Sequence, residues 1–150
     1  MSQTPSSRHI LRRVGAVLTG ILVTVIPSIG TDLVLHAVGL FPPLGQPMGD
    51  AHGLFLLATL YRTIYGVAGS YLTARLAPDR PMLHSLMLGV MGFVVSVIGA
   101  AATWNAEPSL GPKWYPVALI VLALPTAWAG GKIREMQSDK SPQPGTDSRR

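Results

Sequence analysis

The sequence predicts an all-α integral membrane protein: a bundle of four transmembrane helices with both termini in the cytoplasm. Three observations carry that expectation: a shortage of charge, four long apolar segments and a one-sided distribution of basic residues. Of the 150 residues 48% are hydrophobic and only 13% charged, where a soluble domain carries about 25% charged residues. A crossing helix needs about 20 mostly apolar residues to span a hydrocarbon core of roughly 30 Å. Four segments qualify, joined by loops rich in helix breakers, and they form one domain over residues 14–134.

Residues 1–13 form a basic amino-terminal tail, and the first helix is expected over 14–40. Arg8, Arg12 and Arg13 resemble the basic start of a signal peptide. The apolar run after them is longer than such a peptide needs and shows no small-x-small cleavage site before polar sequence, so an uncleaved helix is expected. Ala16, Gly20, Thr24, Ser28, Asp32 and His36 recur at four-residue steps. That spacing puts them on one helix face. Pro27 lies within the segment and is expected to kink it.

The loop Phe41-Pro42-Pro43-Leu44-Gly45-Gln46-Pro47 ends the first segment, and Asp50 stands where it could cap the second helix, expected over 53–76. Ala58, Gly66, Gly69, Ser70 and Thr73 give that helix a small-residue face. Pro78-Asp79-Arg80-Pro81 separates it from the third helix, expected over 82–103. There Ser85, Gly89, Gly92, Ser96, Gly99 and Thr103 form a stripe opposite Leu86, Val90, Val94, Val97 and Ile98. Lipid is as apolar as leucine, so membrane helices associate through close approach at small residues and interhelical hydrogen bonds. The third helix is therefore the expected packing hub. The fourth helix is expected over 115–131, with Pro125 inside it, and residues 135–150 read as a disordered polar tail.

Basic residues set the orientation, because loops rich in Lys and Arg stay in the cytoplasm. Of the 12 Lys and Arg, Arg62 lies inside a segment. With the amino terminus inside, Lys113 alone falls in an outer loop, and all the others fall on the cytoplasmic side. An even number of spans returns the carboxyl terminus to that side. Trp104, Trp114 and Tyr115 then lie at the outer ends of the last two helices, where an aromatic belt is expected. The net charge of +5 is explained by this flanking pattern, and no nucleic-acid partner is expected.

Ionisable groups inside a bilayer are costly and need a partner or a function. Asp32 and Arg62 are two such groups. Each lies roughly 12–14 Å from the outer end of its segment at 1.5 Å per residue. Antiparallel neighbours would bring them together, with Tyr61 and Tyr65 flanking Arg62. The pair reads as a tie that fixes helix register, or as a site for a polar or ionic ligand or a proton-coupled carboxylate. His36, His52, Asp32 and Asp50 gather near the same mouth and form a speculative site for zinc or another divalent cation. The chain has no cysteine, which excludes disulfides, thiolate metal sites and cysteine nucleophiles. It also lacks a phosphate loop, a Gly-x-Ser-x-Gly elbow and a His-Glu-x-x-His motif. No cofactor is implied.

In helix count, and in carrying an acidic residue in the first helix, the chain resembles the small multidrug resistance transporters. The resemblance is architectural and covers no shared motif, so no residue role is carried over. The leading expectation is a small multi-pass protein of a bacterial cytoplasmic membrane with a non-enzymatic interaction or accessory role. Its partners would be the bilayer and a second copy or another membrane protein, met through the small-residue faces. The alternative is a small transporter or ligand-binding membrane protein using Asp32 and Arg62.

Overall fold

The computed structural model describes residues 5–43, 46–106 and 110–139. Their regular structure is entirely helical, in the order α1 (Pro5–Ala37), α2 (His52–Leu76), α3 (Pro81–Thr103) and α4 (Trp114–Asp139). All four expected segments are helices, with shifted ends. Helix α1 begins well before residue 14, so the described part of the tail is already helical, and it stops at Ala37 rather than at Leu40. It runs without interruption through Pro27, as α4 does through Pro125. Helix α4 continues to Asp139, so residues 135–139 are ordered helix and not part of a disordered tail. Lys132, Arg134, Glu135, Met136 and Gln137 are strong helix formers, and Gln137 Oε1 accepts a 2.8 Å hydrogen bond from Tyr71 of α2. The expected tail over 140–150 lies outside the described residues.

Three of these helices are long and apolar enough to cross a membrane: His9–Ala37 in α1, then α3 and α4. Helix α2 has 25 residues, about 37 Å at 1.5 Å per residue, so it has the length. Its composition falls short because Arg62, Arg75 and the tyrosines at 61, 65 and 71 dilute the apolar residues. Arg62 and the three tyrosines bond neighbouring helices, whereas Arg75 is exposed and bonds Tyr71 of its own helix. Asp50 does not cap α2: Ala51 occupies the cap position and no side chain bonds there.

Small residues set the packing. A methyl group added to Gly20 would collide with Thr73 Oγ1 and the carbonyl oxygen of Gly69. One added to Gly69 would meet Thr24 Oγ1 and the carbonyl oxygen of Gly20. Helices α1 and α2 therefore touch backbone to backbone along the four-residue stripe read from the sequence. Between α2 and α4, Gly130 sits against the backbone of Tyr71 and Val67. Between α3 and α4, Gly89 meets Ala127 and Gly131 meets Ser85, whose Oγ donates a 2.5 Å bond to the Ala127 carbonyl. The most deeply buried positions are Ala74, Thr73, Ser85 and Ala127, while large apolar residues such as Leu18, Ile26, Val95 and Trp128 face outward. In water such a surface is an aggregation liability; against lipid tails it costs nothing.

Helix α2 packs against all three others, whereas α1 and α4 share no seam and α1 meets α3 only weakly. The hub is therefore α2, not α3 as the stripe implied. Only the first half of the α3 stripe is used: Ser85 and Gly89 are buried, but Gly92 and Gly99 have open space around them. At the end of the bundle away from the termini, Phe41 folds back onto Ala58 and Tyr61 to form a small apolar core with Tyr65 and Tyr115.

Candidate functional site: a polar tie beside an open cleft

Asp32 projects from the last turns of α1, and Tyr61 and Arg62 project from the middle of α2. The structure brings the three together. Arg62 Nη2 donates to Asp32 Oδ2 at 2.6 Å, and the Tyr61 hydroxyl donates to Asp32 Oδ1. The Arg62 guanidinium also lies 5.8 Å from the centre of the Tyr61 ring, within cation–π reach. Because α1 ends at Ala37, Asp32 is only about 8 Å from its end at 1.5 Å per residue, shallower than the sequence implied. Arg62 reaches up to it along its own methylene stem.

Tyr65 does not contact Asp32. Its hydroxyl shares a 2.9 Å hydrogen bond with Thr31, and its carbonyl accepts a longer bond from Thr24 Oγ1. It thereby forms a second tie between α1 and α2, one turn below the first. Thr31 lies off the four-residue stripe, so its role was invisible to a reading built on that spacing. Its position next to Asp32 was the available signal.

The expected metal set does not assemble. His36 Nδ1 donates to the Pro42 carbonyl at 2.5 Å and its ring meets Phe41 edge-on. His52 Nδ1 accepts a 2.9 Å bond from Trp114 Nε1, with the two rings stacked. Asp32 is committed to Tyr61 and Arg62, and Asp50 is exposed. Among the described residues, no group of three or more His, Cys, Asp or Glu side chains could hold a metal ion. Each imidazole is tied to its own loop or to α4, which draws the donors apart. His84, at the start of α3, is 4% exposed and donates from Nδ1 to the Arg80 carbonyl.

Arg62 also borders an open cleft of about 480 Å³ lined by all four helices. Thr24 and Ser28 of α1, Thr63 and Gly66 of α2, Gly92 and Ser96 of α3, and Thr126 of α4 line it. Several hydroxyls there are already satisfied within their own helices: Thr24 bonds Gly20, Ser28 bonds Thr24, and Thr126 bonds Leu122 and Ala123. The cleft wall is thus mostly apolar with one charged corner. Its origin is the missing α1–α4 seam and the small residues on α3, which leave the middle unfilled. Arg62 Nε is buried without a hydrogen-bond partner, and such a group carries a desolvation cost of about 1–3 kcal/mol or more. The Asp32–Arg62 pair alone therefore leaves the guanidinium incompletely satisfied. No protein-family model, curated protein or solved structure matches the chain.

Proposed function

We propose that this chain is a multi-pass protein of a bacterial cytoplasmic membrane, with all four helices crossing and both termini inside. We further infer that it is a non-catalytic protein that takes a small amphiphile from the bilayer into the cleft beside Arg62. The carrying observation is that Gly92 and Ser96 of the α3 stripe border this cleft, and a methyl group added to Gly92 would meet no neighbouring helix. A largely apolar pocket with a few convergent polar groups is the usual form of a small-molecule site. Helix α1 meets α3 only weakly and α4 not at all, and these loose sides are the route we assign for entry from the lipid. The neutral Asp32–Arg62 pair selects a hydrogen-bonding head group over a strongly charged one, since a further charge would be unpaired there.

Support for α2 as a span is its length together with the pairing of its one central charge. An ion pair with a tyrosine bond removes much of the cost that Arg62 would otherwise impose in lipid. The cytoplasmic placement of both termini rests on the excess of basic residues at that end.

Gly92→Leu tests the ligand reading, because Gly92 has open space around it and can accept a side chain without disturbing the bundle. Protein extracted from its native membrane in mild detergent is weighed by native mass spectrometry. The expected result is a bound amphiphile of lipid-like mass that Gly92→Leu loses while its melting temperature is unchanged. Absence of any bound species, or equal retention in Gly92→Leu, would sink the reading. A second reading, self-association through α3, is favoured by Gly99, which is exposed with nothing against it. Gly99→Cys tests it: a disulfide-linked dimer in native membranes supports a partner copy on this face, and a monomer counts against it.

A further inference from the structure

A second groove runs between α1 and α3 at the end of the bundle that carries both termini. It has a volume of about 1060 Å³ and an almost wholly apolar wall, with Ile10, Val14 and Val17 on one side and Leu83, Met87 and Val90 on the other. Along α1 it extends from Ile10 to Ile21, about 17 Å at 1.5 Å per residue. That is close to half of a hydrocarbon core of roughly 30 Å, the depth of one leaflet.

Charge is confined to its mouth, where Arg13, Asp79, Arg80 and His84 stand. Two of these cancel: Arg13 Nε and Nη2 bond the two oxygens of Asp79 at 3.0 and 2.6 Å. His84 is buried, with Nδ1 on the Arg80 carbonyl. Arg80 is left as the uncompensated cation. Its residue is exposed, and its side chain takes part in no hydrogen bond or ion pair among the described residues. Arg80 is also the only non-glycine residue with positive φ among those described, at φ 42° and ψ 64°. That backbone is unfavourable for a residue with a Cβ, and glycine would relieve it. Local strain of this kind collects where function holds a side chain in place.

We propose that this groove binds one anionic phospholipid, its acyl chains between α1 and α3 and its phosphate on Arg80. The proposal rests on the membrane reading above. Charge complementarity chooses the occupant. One uncompensated guanidinium matches one phosphodiester, and a zwitterionic lipid would bring a second cation against Arg80 and Arg13. A groove one leaflet deep, apolar below and cationic at its rim, also matches the layout of a lipid rather than that of a soluble anion.

The test uses full-length protein in nanodiscs of phosphatidylcholine containing phosphatidylglycerol, released and weighed with its bound lipid by native mass spectrometry. Wild type is expected to retain phosphatidylglycerol preferentially. Arg80→Gly, which removes the charge and relieves the backbone, lowers that preference about fivefold, the change equivalent to about 1 kcal/mol for one basic residue near an anionic surface. Arg80→Lys keeps most of it. Met87→Trp fills the groove and lowers retention of both lipids. Equal retention of the two lipids by wild type, or an undiminished preference in Arg80→Gly, overturns the proposal. Gly92→Leu should leave this preference intact, so failure here and failure of the cleft are told apart. A chain that does not enter nanodiscs overturns both.

Discussion

Arg62 and Asp32 show what a half-buried ion pair demands of two packed helices. Each alone would be an uncompensated charge at depth, and removing one partner of such a pair typically costs about 3–5 kcal/mol. Asp32→Ala is therefore expected to lower stability by about 3 kcal/mol, the low end of that range, because the Asp32 and Arg62 side chains keep 26% and 35% of their surface open. Urea or thermal unfolding in micelles measures this. The double change Asp32→Ala with Arg62→Leu should recover part of the loss; a double variant as unstable as the sum of both singles would contradict the pairing. Tyr61→Phe removes one donor from Asp32 and should cost about 1 kcal/mol, the usual net worth of one hydrogen bond. The Asp32–Arg62 contact could be anticipated because both residues lie in apolar segments joined by a short loop. The partition between Tyr61 and Tyr65 could not, since both flank Arg62 in sequence and only helix rotation decides which hydroxyl faces Asp32.

Glycines distinguish the seams from the cleft at the level of the helices. Gly130 is pressed against the backbone of α2, so even one extra methyl has to push two helices apart. Gly130→Ala should destabilise by about 1–3 kcal/mol, the range for overpacking a tight interior. Gly92→Ala, on open space, should be neutral or slightly stabilising, because alanine exceeds glycine in helix propensity by about 1 kcal/mol. Comparable melting shifts for the two variants would show that α3 closes onto another helix and that the cleft is not open. The same contrast explains why the α1 stripe was read correctly and the α3 stripe only in part. In α1, Gly20 and Thr24 meet α2 and Ser28 beyond them is buried, so spacing and contact agree. In α3 equal spacing continues past Gly89, but Gly92 and Gly99 face open space while Ala100 is buried. Periodicity reports which residues share a face and is silent about how far along that face a partner extends.

At the scale of the whole molecule, orientation and end-to-end ties are the testable quantities. The absence of cysteine makes single-cysteine labelling free of background. Lys113→Cys should react with an impermeant maleimide in intact cells, and Gln137→Cys only after permeabilisation; the reverse pattern would invert the topology. The Arg13–Asp79 pair fastens the start of α1 to the α2–α3 turn, and hydrogen bonding from Arg13 holds the Asp79 carboxyl below its usual pKa. A depressed carboxylate contributes stability above its unfolded pKa and loses it as pH falls through the folded value. The melting temperature should therefore drop slightly as acid is taken below about pH 4, and Arg13→Gln should flatten that part of the profile. Both groups are solvent-exposed, so the effect is small and salt should weaken it.

The sequence by itself determined that the chain is helical, that it has four segments of roughly these bounds, and that Asp32 and Arg62 each need a partner or a function. Those properties follow from local composition: hydropathy over about 20 residues, proline-rich breaks, and the cost of a lone charge in lipid. It also marked the small residues of α1, α2 and the first half of α3 that lie in the seams, but not Gly130 and Gly131 of α4. Tertiary structure alone decided that α2 is the hub, that His36 and His52 are drawn to Pro42 and Trp114 instead of a shared ion, and that α1 never reaches α4. Each depends on the relative rotation and divergence of whole helices, which no residue or short motif encodes. The cleft beside Arg62 and the groove beneath Arg80 lie where α1 meets α3 only weakly and α4 not at all: spaces left between helices, with the polar groups at their edges supplied by the sequence.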